Sequence, residues 1–201
     1  MRAPLSIVIP TLNAAPELPA TLHALVEGLE TGLIRELIVS DGGSGDATVE
    51  IAIAAGARVV EGPPGRGVQL ARGVAEASGE WLLLLHADTI PDPGWTAAVG
   101  AFFQHPGQAG WFTLAFRAQG LAPRIVAGWA NLRSRAFGLP YGDQGLLIGR
   151  ACLDQIGGVP PLPLMEDVAL ARRLRGRLKP IGAVARTSAE RYRRQGWVRR
   201  S

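Results

Sequence analysis

The sequence predicts an α/β protein with a mostly parallel central sheet flanked by helices, and three observations carry that expectation. From Leu5 to Leu85, short apolar runs alternate with stretches whose apolar residues recur at helical spacing, the pattern of βαβ units with right-handed crossovers. The 201 residues are enough for one domain with a sizeable core. The apolar runs also stop abruptly at polar residues, and the region beyond the carboxyl ends of parallel strands is where open sheets bind ligands.

Leu5–Pro10 is a short, proline-bounded first strand. Pro16 is tolerated in a first helical turn and opens a helix in which Leu18, Leu22, Leu25, Val26 and Leu29 recur; Gly32 ends it. His23 lies beside that stripe and reads as a surface or boundary residue. A second strand from Ile34 to Ser40 stops at Asp41-Gly42-Gly43-Ser44-Gly45-Asp46. Ser44 and Asp46 suit the cap of the next helix, with Val49, Ile51, Ile53 and Ala54 expected to face the sheet. Ala57–Glu61 forms a third strand, Gly62–Gly67 a glycine-punctuated loop, and Val68–Ser78 a third helix. The turn after the first strand contains no glycine, so the dinucleotide phosphate fingerprint is missing from its proper place.

Trp81–Leu85 is the most apolar run and reads as the central strand, delivering His86 and Asp88 to the sheet edge. Residues two apart on a strand point the same way, so both should project together. Pro91 and Pro93 are expected to stop the strand, and Asp92 is well placed to cap the helix from Trp95 to Phe103. Asp88 is then read as a functional residue, with a capping role as its alternative. Further on, Ala109–Arg117 alternates like a strand, Leu146–Ile148 is another, Asp167–Leu174 a helix and Ile181–Val184 a last strand. Leu121, Ile125, Trp129, Leu132 and Ala136 keep helical spacing with Arg124, Arg133 and Arg135 interleaved. Core packing with solvated arginines is the reading taken for this helix; a membrane surface or the wall of an acceptor cleft are the alternatives.

Residues 1–184 form the expected domain and residues 185–201 a basic tail. The tail holds six arginines against Glu190, a local +5 within a net charge of +4, so the rest of the chain carries −1. Such a segment suits diphosphate or anionic lipid, and gives a reason for peripheral membrane contact. No aromatic-interleaved motif accompanies it, so nucleic acid is not expected as a partner. Cys152 is the only cysteine and is expected to be buried, which fits a reducing, cytoplasmic setting. No apolar run is long enough for a signal peptide or a membrane span.

Leu5–Asn13, Asp41–Thr48 and the His86-Ala87-Asp88 strand end, followed by Tyr141–Gly145, Ile156–Pro160 and Met165-Glu166-Asp167, together resemble family 2 glycosyltransferases of the GT-A fold, in order and spacing. The resemblance covers nearly the whole chain and implies transfer of a sugar from a nucleotide-diphosphate donor. It implies that Pro10, Thr11, Asn13 and Asp41 line the nucleotide seat, and that Asp88 binds a divalent cation, Mn²⁺ or Mg²⁺. His86 replaces the first acid of the family's D-x-D and is a second candidate ligand, or a hydrogen-bonding partner of ribose or phosphate. Asp167 matches the family's catalytic base. Asp143, Gln144 and Glu166 are candidate acceptor or donor-sugar contacts. Arg66 and Arg191 are candidate diphosphate partners.

The processive Q-x-x-R-W is absent, Ser188–Tyr192 standing in its place, which fits addition of one sugar. The acceptor is left open among a saccharide, a small metabolite and a lipid phosphate, as is oligomeric state. Competing readings are a non-catalytic scaffold of the same fold and a sugar nucleotidyltransferase. The first draws on His86 and the basic tail; the second lacks its glycine-rich loop after the first strand.

Overall fold

A computed structural model describes residues 3–162 and 164–189. In chain order it runs β1 (Leu5–Thr11), α1 (Leu18–Glu30), β2 (Ile34–Asp41), α2 (Thr48–Ala54), β3 (Arg58–Glu61), α3 (Arg66–Glu76), β4 (Trp81–Leu84), β5 (Thr89–Pro91), α4 (Trp95–Phe102) and β6 (Ala109–Phe116). Then follow α5 (Leu121–Phe137), a 3₁₀ turn (Gly142–Gln144), β7 (Leu146–Gly149), α6 (Arg150–Gln155), α7 (Glu166–Arg173) and β8 (Leu178–Thr187). Among the described residues there is one sheet of order β3-β2-β1-β4-β7-β6-β8-β5. β3, β2, β1 and β4 are mutually parallel, β7 runs against β4 and β6, and β8 is parallel to β6.

Both faces of the parallel half are covered, which is why its strands are nearly all apolar. Ile7 and Ile9 of β1 pack with Leu18, Leu22, Trp95 and Phe112 on one face. Val8, pointing the other way, packs with Leu70, Leu82, Ile148 and Leu170. Cys152 lies buried in this second cluster, on a short α6 that periodicity did not announce. α3 must pass close to the 160–162 loop: a Cβ on Gly67 would lie 2.4 Å from the Leu162 carbonyl oxygen and 2.5 Å from that of Pro160. That glycine is thus fixed by contact.

Several expectations are corrected. β4 ends at Leu84, where its pairing with both β1 and β7 runs out. His86–Asp88 therefore lies in a turn closed by the Thr89 amide donating to the His86 carbonyl at 3.2 Å, and strand alternation does not set its side chains. Pro91 does not stop the chain's pairing, because β5 is the sheet's edge strand and proline's missing donor is harmless there. Asp92 caps nothing; it holds Arg186 of β8 through two bonds of 2.7 and 2.9 Å. α4 is capped by Glu27 of α1, whose carboxylate accepts the Gly94 amide at 2.9 Å, the Thr96 amide at 3.2 Å and the Thr96 hydroxyl.

On α2 the buried residues are Thr48 and Ala52, with Ile51 packed against the core as expected, whereas Ile53 and Ala54 are exposed. β8 continues through Thr187, paired with β6 and β5, so the strand crosses the boundary expected after Val184. α5 is turned around: its buried residues are Pro123, Ala127, Ala130 and Ser134, while Leu121, Ile125, Trp129 and Leu132 face outward. Small side chains let this helix lie close on β6, where Ala127 and Ala130 meet Leu114 and Phe116.

Candidate active site

The carboxyl ends of β1 and β2 are stitched into one ledge. Asp41 is 1% exposed, and its four acceptor positions are taken. Oδ1 accepts the Thr11 hydroxyl at 2.8 Å and the Ser44 hydroxyl at 2.6 Å; Oδ2 accepts the amides of Gly43 at 2.8 Å and Ser44 at 2.7 Å. Burial alone would raise its pKa, but the bonds from Ser44, Thr11 and Gly43 outweigh it and hold the carboxyl below its ordinary range. Ser44 is thereby drawn away from capping α2, whereas Asp46 does bond the Thr48 amide, at 3.1 Å.

Asn13, at φ 50°, closes the ledge: its side-chain oxygen accepts the Gly45 amide at 2.9 Å and its own amide donates to Ser44 at 2.8 Å. Gln69 of α3, which the sequence did not single out, ties both strand ends together by donating to the carbonyls of Thr11 at 2.6 Å and Ser40 at 3.0 Å.

Beside the ledge, a second group of side chains converges from three separate segments. The Nδ1 atom of His86 lies 3.0 Å from Asp143 Oδ1. The next residue back, Gly142, donates its amide to Asp167 Oδ2 at 2.9 Å, while Asp167 Oδ1 accepts the Val168 amide at 2.8 Å. Any Cβ on Gly142 would stand 2.6 Å from His86 Nε2 and 3.4 Å from Asp167 Oδ2, so only glycine lets the turn pass between them. Glu166 and Asp167 open α7, where acids favour the helix dipole. Met165 before them is held at φ 65°, a conformation that costs a non-glycine residue roughly 1–3 kcal/mol. Arg66, at the start of α3, is ion-paired to the 1%-exposed Glu166 and lies 4.0 Å from Asp167.

A cleft of about 410 Å³ connects the two groups, within the usual range of small-ligand sites. Pro10, Thr11 and Asn13 line it on the ledge side, and Arg66, His86 and Asp88 opposite. Glu17 and Gln69, which no local motif marked, also line it, as does Ser188, the first residue of the segment standing in place of Q-x-x-R-W. Glu17 is ion-paired with Arg117 from the end of β6. His86 and Asp167 further border a small apolar pocket of about 40 Å³, walled by Leu70, Leu84 and Leu170. Gln144 is corrected: at 0% exposure its amide is spent on Phe112, Ser134 and Tyr141, so it holds the turn and touches no sugar. Glu166 and Arg66 face each other first, leaving the arginine shared between the acids and the cleft. Arg191 lies outside the described residues.

The donor chemistry fits a divalent cation shared with a ligand. Asp143 bonds one ring nitrogen of His86, the arrangement in which a carboxylate orients a ligating imidazole and leaves Nε2 to the metal. Asp88 adds a carboxylate on the same cleft wall. Among the described residues no set of three or more His, Cys, Asp or Glu side chains surrounds one point, so oxygens of a diphosphate and water would complete the shell.

A mixed, mostly parallel sheet with a nucleotide-sized cleft at its strand ends, and an acid held by a glycine turn beside the cleft-lining His86, defines a GT-A type glycosyltransferase fold. The chain belongs to glycosyl transferase family 2, whose family model matches residues 6–127. It is 39% identical over 99 residues to glucosyl-3-phosphoglycerate synthase of Mycobacterium tuberculosis, a match covering 44% of this chain and 30% of the synthase. It is 43% identical over 111 residues to a PGL/p-HBAD biosynthesis glycosyltransferase of Mycobacterium bovis, covering 51% of this chain and 43% of the relative. It thus spans less than half the length of these relatives. The crystal structure of the M. tuberculosis synthase with Mn²⁺, UDP and glucosyl-3-phosphoglycerate superposes with a TM-score of 0.64 at 25% identity, over 92% of this chain and 70% of that one. S. aureus TarS shares the fold at a TM-score of 0.66 and 16% identity, over 92% of this chain and 60% of that one.

Proposed function

We propose that the protein transfers one sugar from a UDP-sugar to an acceptor hydroxyl or phosphate, inverting the anomeric centre in a single displacement. The observation that carries this reading is the Gly142 turn, which holds Asp167 beside the cleft-lining His86. Pro10, Thr11 and Asn13 on the ledge that the buried Asp41 braces would receive the nucleoside. Asp88 and His86 Nε2 would hold a divalent cation, whose chemistry is to offset charge on the departing diphosphate. Each Asp167 oxygen accepts one backbone amide, which fixes the carboxylate and leaves each oxygen a second lone pair to accept a proton. In the displacement the acceptor oxygen bonds to the anomeric carbon, the bond to diphosphate breaks, and the acceptor proton passes to Asp167. Arg66 keeps Glu166 neutralised beside that base.

Calorimetric titration with UDP, GDP and dTDP, each with Mn²⁺, Mg²⁺ or chelator, tests the reading. Metal-dependent binding of UDP is expected; no binding of any nucleotide under any metal would sink it and favour a scaffold of the same fold.

A further inference from the structure

On α5 the usual sense of an amphipathic helix is reversed. Its inner face is small, Ala127, Ala130 and Ser134 against β6, while Leu121, Ile125, Trp129 and Leu132 are 55–75% exposed. At 3.6 residues per turn these four fall within roughly 40° of the centre of the outer face. By the same geometry Arg124 and Arg135 lie about 80–100° to one side and Arg133 about 80° to the other. The helix carries no acidic residue.

We propose that this outer face docks the protein on an anionic lipid bilayer surface, apolar side chains entering the interfacial layer and the exposed Arg124 and Arg135 meeting the headgroups. Three features select this occupant. Arginine along a border of an apolar stripe suits an interfacial helix, and the exposed Arg124 and Arg135 supply it on one side, with long stems that reach back to the headgroup plane; Arg133 on the other side lies over the Tyr141 ring, 3.1 Å from its centroid. A tryptophan on the stripe, toward its Arg133 border, suits a boundary that is apolar below and wet above. A second copy of this chain would bring a like set of arginines against the first with no acid to answer them, which disfavours self-association through this face. In addition, Ala189, the last described residue, packs in the cluster formed by Ala127 and Ala130. The described residues thus end beside α5, and Arg191, Arg193, Arg194, Arg199 and Arg200 follow in the sequence. The docking surface stands independently of the transferase reading.

Flotation of the full chain with vesicles of phosphatidylcholine alone, and of equal parts phosphatidylcholine and phosphatidylglycerol, is the test. The chain is expected to float with the anionic vesicles and to lose roughly tenfold in partitioning on Ile125→Ser/Trp129→Ser/Leu132→Ser, with its melting curve unchanged. Arg124→Gln/Arg135→Gln should narrow the preference for the anionic vesicles. Should the triple variant fold poorly, Trp129→Phe gives the same information: quenching of tryptophan emission by brominated phosphatidylcholine should fall. The proposal is overturned if the wild-type chain does not float, or if the triple variant floats equally well, which would leave the tail arginines as the sole cause. It is also overturned if gel filtration shows a dimer that the triple variant splits, since the face would then belong to a second copy.

Discussion

At the scale of single residues, Asp167 and Asp41 divide the site between chemistry and support. Asp167→Asn keeps one of the two backbone bonds while losing the ability to take a proton, so transfer should fall by about 10²–10⁴-fold with donor affinity largely unchanged. Turnover near wild type, measured beside nucleotide titration, would remove Asp167 from the base role. Asp41 is a group whose folded pKa is depressed, so its contribution to stability is present above the unfolded value and lost as pH falls through the folded one. The stability gap between wild type and Asp41→Asn should therefore hold from neutral pH to about 4 and narrow below it. Urea unfolding across a pH series reads this directly, and a gap indifferent to pH would show that the carboxylate's charge is not what the ledge uses.

At the scale of elements, α4 depends on a carboxylate supplied by α1. Glu27→Ala leaves the Gly94 and Thr96 amides without their acceptor and should cost about 1 kcal/mol, seen as a lower melting midpoint, whereas Asp92→Ala should leave α4 intact. An equal loss in both variants would return the cap to Asp92. The strand ends were legible in the sequence because apolar runs that break at Thr11, Asp41 and His86 announce both the sheet and its ligand edge. The orientation of α5 was not: spacing reveals a stripe of large residues, but the small residues at Ala127, Ala130 and Ser134 repeat just as regularly. Which stripe faces β6 is decided by how near the helix must lie. Gln144 was misread for a similar reason, since glycine neighbours suggest an open turn and only its long-range partners show it buried.

At the scale of the whole molecule, the site is assembled from segments far apart in the chain. His86 and Asp143 are separated by 57 positions and Gly142 and Asp167 by 25, so no local pattern could pair them. A ligand that bridges the ledge, the β4 turn and α7 should then stabilise the fold as a unit. At a hundredfold excess over its dissociation constant, UDP with Mn²⁺ should add about 2.7 kcal/mol, raising the melting midpoint by several degrees. Asp88→Ala should abolish the metal-dependent part of that rise; an undiminished rise would remove Asp88 from cation binding.

The Gly142 turn has one more consequence. Its amide proton is held by Asp167 while its α-carbon faces the free ring nitrogen of His86. The resonance of that single isotope-labelled backbone position should move when a cation and diphosphate reach His86, and move again when Asp167 takes up a proton. One peptide unit would thereby act as a spectroscopic witness to both halves of the reaction.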